Sequence, residues 1–411
     1  MVRVVCCPRL WRSWCWWWCR GGFVSWYGPL SLPDPGLHVP AAYALSTGQS
    51  LAVDSDRVHW LVGDGTLLSA PGRNETVTTL LASPWHDPGL DAQRTVLDRA
   101  PTTTMMLQTR ANQYPPLPGY LPQAAGMLMA RHAGGSAWDQ LQAGRVANLL
   151  CYMLAGMAAV LLAGGRRWAF VTALANPACV FLASSMSADA MAIAVCALVT
   201  ALAMRLTRRD STGARIAFVA AGALLVPLKL VYATLLLLPL PARSMTRRAR
   251  ATITTTPLLL GGIPYLLWSR AYARPFARPG LDTGANLAHL LAHPAGDLMQ
   301  ITASTAAALW QTLTDSPPTT VAILLVCLTL PHDTRPDPAK ALTASAAGVL
   351  SLLMTTGMLL ITWNTTPDTG TWTTPLTGFQ ERYLLPLLTL PAYTLENTTT
   401  TSKHARHAPA R

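Results

Sequence analysis

The stretch ARIAFVAAGALLVPLKLVYATLLLLPLP (Ala214–Pro241) is apolar almost throughout, with Lys229 at its centre between Pro227 and Tyr232. Arginines crowd both ends: Arg205, Arg208, Arg209 and Arg215 before it, Arg243, Arg247, Arg248 and Arg250 after it. Basic residues flanking an apolar segment mark the cytoplasmic side of a membrane. One long span would place basic clusters on both faces, which that rule disfavours. A hairpin of two short arms returns both clusters to one side and carries Lys229 toward the other. Each arm has about 13 residues and rises roughly 20 Å, short of a hydrocarbon core of roughly 30 Å. Short arms are tolerated where protein surrounds them or where they line a wet cavity. The hairpin is the expectation, and one long span its alternative.

Composition agrees with a membrane reading. Of 411 residues, 51% are hydrophobic and 12% charged, where a soluble domain carries about 25% charged. The net charge of +12 sits between apolar runs and in the tail, as topology determinants do, so it signals orientation rather than nucleic-acid binding. Cys151, Cys179, Cys196 and Cys327 lie singly in apolar runs and behave as small hydrophobes. Cys6, Cys7, Cys15 and Cys19 cluster near the start without a partner pair at zinc spacing. His289 and His293, four apart, lack the intervening Glu of a zinc-hydrolase helix. No phosphate-cradling loop or dinucleotide fingerprint is present.

Residues 1–28 read as a poor membrane anchor, or as a chain start that cuts into a better one. Residues 29–145 are polar and hold no apolar run of spanning length, which reads as a large extracytoplasmic loop. Short strand or helix pieces are expected around Val53–Leu68 and Gln93–Leu107. Residues 146–395 read as the polytopic domain. Its expected spans are Val146–Ala163, Trp168–Ser184 with a kink at Asn176–Pro177, a helix from Asp189 to Arg205, the Lys229 hairpin, Ala251–Trp268 broken by Gly261, Gly262 and Pro264, Thr319–Leu330, Ala341–Trp363 and Tyr383–Leu395. Arg270–Pro317 reads as a second outer region with an amphipathic piece at Leu298–Leu313. Residues 396–411 form a basic cytoplasmic tail. The fold class is thus an all-α polytopic membrane protein of about 8–10 transmembrane helices. The hairpin puts the 29–145 loop, Asp189, Lys229 and the 364–382 loop on one face.

Five segments on that face combine Pro, Gly, aromatic and ionisable residues at a membrane boundary: PDPGLH (Pro33–His38), YPPLPGYLP (Tyr114–Pro122), SMSADA (Ser185–Ala190), PLKLVY (Pro227–Tyr232) and GFQERYLLP (Gly378–Pro386). In type and order they resemble the bacterial membrane-protein family called domain of unknown function 2142, over roughly residues 29 to 395. Two positions depart from its pattern. Pro35 stands where a second acidic residue is usual, and Glu381 replaces a small one. The family is similar in layout to the integral-membrane glycosyltransferases of GT-C architecture, which use polyprenyl-phosphate sugars. That is an analogy of fold, and fold does not fix function. The resemblance implies a multi-pass protein of the bacterial cytoplasmic membrane with an extracytoplasmic working face. Its implied partners are a lipid-linked sugar donor and membrane lipids. No cofactor is demanded, and a divalent cation is compatible with the chemistry.

Sugar transfer from a lipid phosphate needs a base for the acceptor hydroxyl and cations for the departing phosphate. Asp34 is the candidate base, with His38 four residues on as its orienting partner on one helix face. The bland alternative is that Asp34 caps a helix starting at Pro35. Lys229 is a candidate point charge for phosphate, or else a structurally paired lysine. Arg382 suits bidentate phosphate contact, or a salt bridge to Glu381. Asp189, Tyr232, Gln380 and Tyr383 complete the candidate substrate-binding set. Asp189 reads otherwise as a helix cap, and Tyr114 and Tyr120 as anchors at the rim. The rival functions are a transporter or flippase of lipid-linked glycans, and a non-catalytic scaffold subunit of an envelope complex.

Overall fold

The computed structural model describes residues 22–31, 34–50, 57–59, 89–98, 106–108, 115–273, 280–330, 335–365, 372 and 376–395. The four cysteines near the start, Tyr114 and the tail 396–411 lie outside them. The described fold is helical apart from one short antiparallel ribbon. Helices α1 (Gly22–Trp26) and α2 (Pro35–Ser46) come first. Strand β1 (Arg57–His59), helix α3 (Leu90–Leu97) and strand β2 (Met106–Gln108) follow, with β1 paired to β2. Helix α4 (Leu121–His132) leads into α5 (Ala137–Ala163). Strand β1, helix α3 and strand β2 fall at the short pieces expected around Val53–Leu68 and Gln93–Leu107, and α2 and α4 are helices beyond that expectation. Leu30, Val39, Tyr43, Tyr120, Met127 and Leu141 bury together there as a small separate core. Helix α5 begins before the expected Val146 because Ser136 and Asp139 form a reciprocal capping box at its start.

The break at Asn176 falls where expected. Helix α6 (Arg167–Leu174) stops, the Asn176 side chain accepts the Cys179 N–H at 3.0 Å, and α7 (Pro177–Ala183) starts. Helix α8 (Asp189–Arg208) is the axis of the main core: 78% of its apolar window is buried, against 28% for the α5–α6 stretch and 33% for the helix 338–363. Its alanines (Ala190, Ala194, Ala197, Ala201) let neighbours approach closely.

Helix α9 (Thr212–Leu228) ends one residue before Lys229, whose backbone is extended (φ −158°, ψ 96°). The chain then returns as a 3₁₀ helix, Leu230–Leu237. Ser244 donates to the Leu206 carbonyl at 2.9 Å, so both arms close at the Arg208 end of α8 while Lys229 lies at its Asp189 end. The hairpin expectation holds in outline, but its second arm is not an α-helix. Pro239 and Pro241 supply no N–H to continue one.

Helix α10 (Arg247–Tyr272) runs unbroken through the glycines and prolines expected to interrupt it. Gly261 serves packing instead: a Cβ there would stand 2.4 Å from the Ala223 carbonyl oxygen of α9. The expected outer region from Arg270 contains two helices, α11 (Thr283–Ala292) and α12 (Pro294–Asp315). Helices α13 (Pro317–Leu328) and α14 (Pro338–Trp363) follow. The final expected span is two 3₁₀ turns, Glu381–Tyr383 and Leu385–Leu387, and a short α15 (Leu390–Thr394), because Pro386 and Pro391 each remove a donor.

Three helical stretches among the described residues are long and apolar enough to cross a membrane: Ala137–Leu174, Asp189–Arg208 and Pro338–Trp363. Thr212–Leu228 and Thr319–Leu328 are apolar but shorter. This is fewer than the 8–10 expected. The remaining candidates are cut by 3₁₀ geometry or, like α10, open on a run of arginines. At one end of the bundle Arg208 donates to the Ala163 carbonyl and Arg166 to that of Leu395, covering carbonyls at helix ends. The candidate site lies at the opposite end of α8, roughly 30 Å away along its 20 residues.

Candidate functional site

A cleft of about 440 Å³, open mouth included, is lined by Leu37, His38, Gly119, Tyr120, Asp189, Lys229, Arg382 and Tyr383 among others. Four charged side chains form a chain there, of which Asp189, Lys229 and Arg382 line the cleft and Asp34 joins through Arg382. Arg382 Nη2 contacts Asp34 Oδ2 at 2.6 Å, although 348 residues separate them. Arg382 Nη1 stands 3.4 Å from Asp189 Oδ2, and Lys229 Nζ contacts Asp189 Oδ1 at 2.6 Å. These contacts join two carboxylates to two cations. The Lys229 ammonium also lies 5.0 Å from the centre of the Tyr383 ring, within cation–π range.

The backbone explains how each group reaches this place. Asp34 occupies the cap position of α2 in the left-handed region (φ 52°, ψ 48°), which Asp tolerates better than most residues. It makes no side-chain cap to that helix, so its carboxylate is turned to Arg382 instead. Asp189 is equally not a cap: Ala188 holds that position, and the Asp189 carboxylate lies between Lys229 and Arg382. Arg382 does not pair with Glu381. Glu381 accepts a hydrogen bond from Ser316 at the α12–α13 corner.

His38 does not orient Asp34. Its ring bridges Tyr120 (Nδ1 to Oη, 2.8 Å) and Ser187 (Nε2 to Oγ, 3.2 Å). Burial holds it neutral, lowering its pKa to about 4; Asp189 opposes that shift and Arg382 reinforces it. A neutral ring donates through one nitrogen and accepts through the other, which matches two hydroxyl partners. Tyr120 is fully buried, so it is not an anchor at the rim. Tyr232 is buried too, and its hydroxyl donates to the Tyr383 carbonyl at 2.9 Å, pinning the turn that carries Arg382. Gln380 is exposed and does not line the cleft.

Sequence reasoning missed what holds the SMSADA turn. Ser187 Oγ accepts the Asp189 N–H at 3.1 Å. Asn148 donates to the carbonyls of Ser185 and Ser187, Gln123 to those of Met186 and Ser187, and Arg145 to that of Ser184. Arg145 and Asn148 are fully buried within α5. Polar residues inside an apolar helix were the signal available. His289 and His293 lie elsewhere, with His289 on Asp297 at 3.0 Å. Among the described residues no group of three or more His, Cys, Asp or Glu gathers to hold a metal.

All five motif segments thus contribute a described residue to one cluster, from Asp34 to Tyr383. A family model described as "Predicted membrane protein (DUF2142)" matches residues 20–390. The chain belongs to this family. The match spans every segment of the cluster. No curated protein and no solved structure matches the chain.

Proposed function

We propose that this protein transfers a sugar from a polyprenyl-phosphate donor to an extracytoplasmic acceptor of the cell envelope, in the general layout of GT-C glycosyltransferases. The observation carrying this reading is the ion-pair chain Asp34–Arg382–Asp189–Lys229, in which Asp189, Lys229 and Arg382 line one cleft and Asp34 is held at its side by Arg382. Exposure separates the two carboxylates. Asp34 is 32% exposed, whereas Asp189 is 9% exposed and clasped by both cations. Asp34 is the base, and Asp189 holds the cations in place.

The acceptor oxygen attacks the anomeric carbon and its proton passes to Asp34. The bond from that carbon to the phosphate oxygen breaks, and the electron pair leaves with the lipid phosphate. Lys229 and Arg382 stabilise the charge developing on it. A single displacement inverts the anomeric configuration. The transporter reading draws on a different observation, a lysine at a helix break ion-paired to the start of a candidate span. Envelope glycans from a strain lacking the protein test both. Wild type is expected to restore the missing sugar and Asp34→Asn to fail at equal protein level. Equal restoration by the two sinks the base assignment and moves transport ahead.

A further inference from the structure

We infer that donor phosphate and the Asp34 carboxylate compete for Arg382, so that seating the donor displaces Asp34 from the guanidinium. The identity of the ligand rests on the donor reading above; the competition rests on how the guanidinium is partnered. Nη2 is hydrogen-bonded to Asp34. Nε and Nη1 are sealed from solvent and have no hydrogen-bond partner. A buried N–H without an acceptor is costly, and native structures keep few of them. Nη1 still has the Asp189 oxygen at 3.4 Å, so Nε is the position short of an acceptor, which a phosphate would supply.

The fork decides where. Asp189 already flanks the Nη1 side at 3.4 Å, which leaves the edge made by Nε and Nη2 for a bidentate oxyanion. An oxyanion there comes onto the nitrogen that Asp34 holds, and two negative charges on one nitrogen repel strongly in a part-buried site. Asp34 is the one placed to yield. It is more exposed than Asp189, it makes no cap to α2, and its backbone is left-handed. Acceptor deprotonation then follows donor binding, and an acceptor entering first meets a carboxylate still engaged.

The test is calorimetric titration of farnesyl phosphate into the purified full chain in detergent. Asp34→Asn is expected to bind about fivefold to tenfold more tightly than wild type, since a competing ion pair is gone. Arg382→Gln is expected to bind at least about tenfold more weakly. Asp34→Gly, compatible with the same backbone, repeats the measurement if the Asn variant yields no folded protein. Unchanged or weaker binding by the Asp34 variants overturns the competition alone. Absence of binding by wild type and variants alike overturns the phosphate-donor reading with it.

Discussion

Lys229, just past the end of α9, contacts Asp189, the first residue of the preceding α8, at 2.6 Å. The pair closes two antiparallel helices at the end where the cleft lies. Removing one member of a buried pair leaves the other charge uncompensated, so Lys229→Met is expected to lose roughly 3 kcal/mol of stability. Arg382 still faces Asp189 and limits the loss. The double change Asp189→Asn with Lys229→Met is expected to recover most of it without recovering function. Thermal unfolding in detergent reads the first part and sugar transfer the second. A double variant no more stable than Lys229→Met contradicts the pairing.

His38 gives a pH dependence with a definite sign. Its folded pKa of about 4 lies below the ordinary 6.5, so the unfolded chain takes up the proton first. Stability is fully present above about 6.5 and falls as pH drops toward 4, by roughly 3 kcal/mol at most. Asp189 and Asp34 favour the charged ring, and Arg382 and Lys229 oppose it, so loss of either cation narrows the window. His38→Gln is expected to flatten the unfolding temperature between pH 6.5 and 4 relative to wild type. An unchanged slope would mean other groups set it.

The sequence shows the breaks of this fold better than its continuities. Asn176–Pro177, Asp189 and Lys229 are each a chemical discontinuity in an apolar run, and each is where an element starts or stops. Gly261, Gly262 and Pro264 look like breakers too, yet α10 passes through them because packing on α9 overrides local preference. The cleft was legible as a set of residue types on one face. Their pairings were not, since the Asp34–Arg382 contact joins residues 348 apart. Local spacing pointed to His38 as the partner of Asp34 and to Glu381 as that of Arg382. Tertiary placement gives Asp34 and Arg382 to each other.

Gly261 sets the approach of α10 to α9. Its added Cβ would meet backbone, the Ala223 oxygen at 2.4 Å, which cannot rotate away. Gly261→Ala is expected to cost about 1–3 kcal/mol by overpacking. Gly213, inside α9, has nothing within 4 Å of such a Cβ. Gly213→Ala is therefore expected to gain about 0.5 kcal/mol from helix propensity. Unfolding temperatures moving in opposite directions support this packing; a neutral Gly261→Ala speaks against it.

Tyr232 tests whether the second arm of the hairpin positions Arg382. Its hydroxyl donates to the Tyr383 carbonyl, one residue from Arg382, while its ring is buried in the main core. Tyr232→Phe keeps the ring and deletes the donor, at a cost of about 1 kcal/mol. A purely structural role ends there. A positioning role adds a second effect: with its turn loosened, Arg382 meets the donor phosphate less often in the productive geometry. The KM for donor is then expected to rise by about fivefold to tenfold, with the KM for acceptor unchanged. Equal changes in both KM values, or a fall in unfolding temperature alone, would reduce Tyr232 to a core residue.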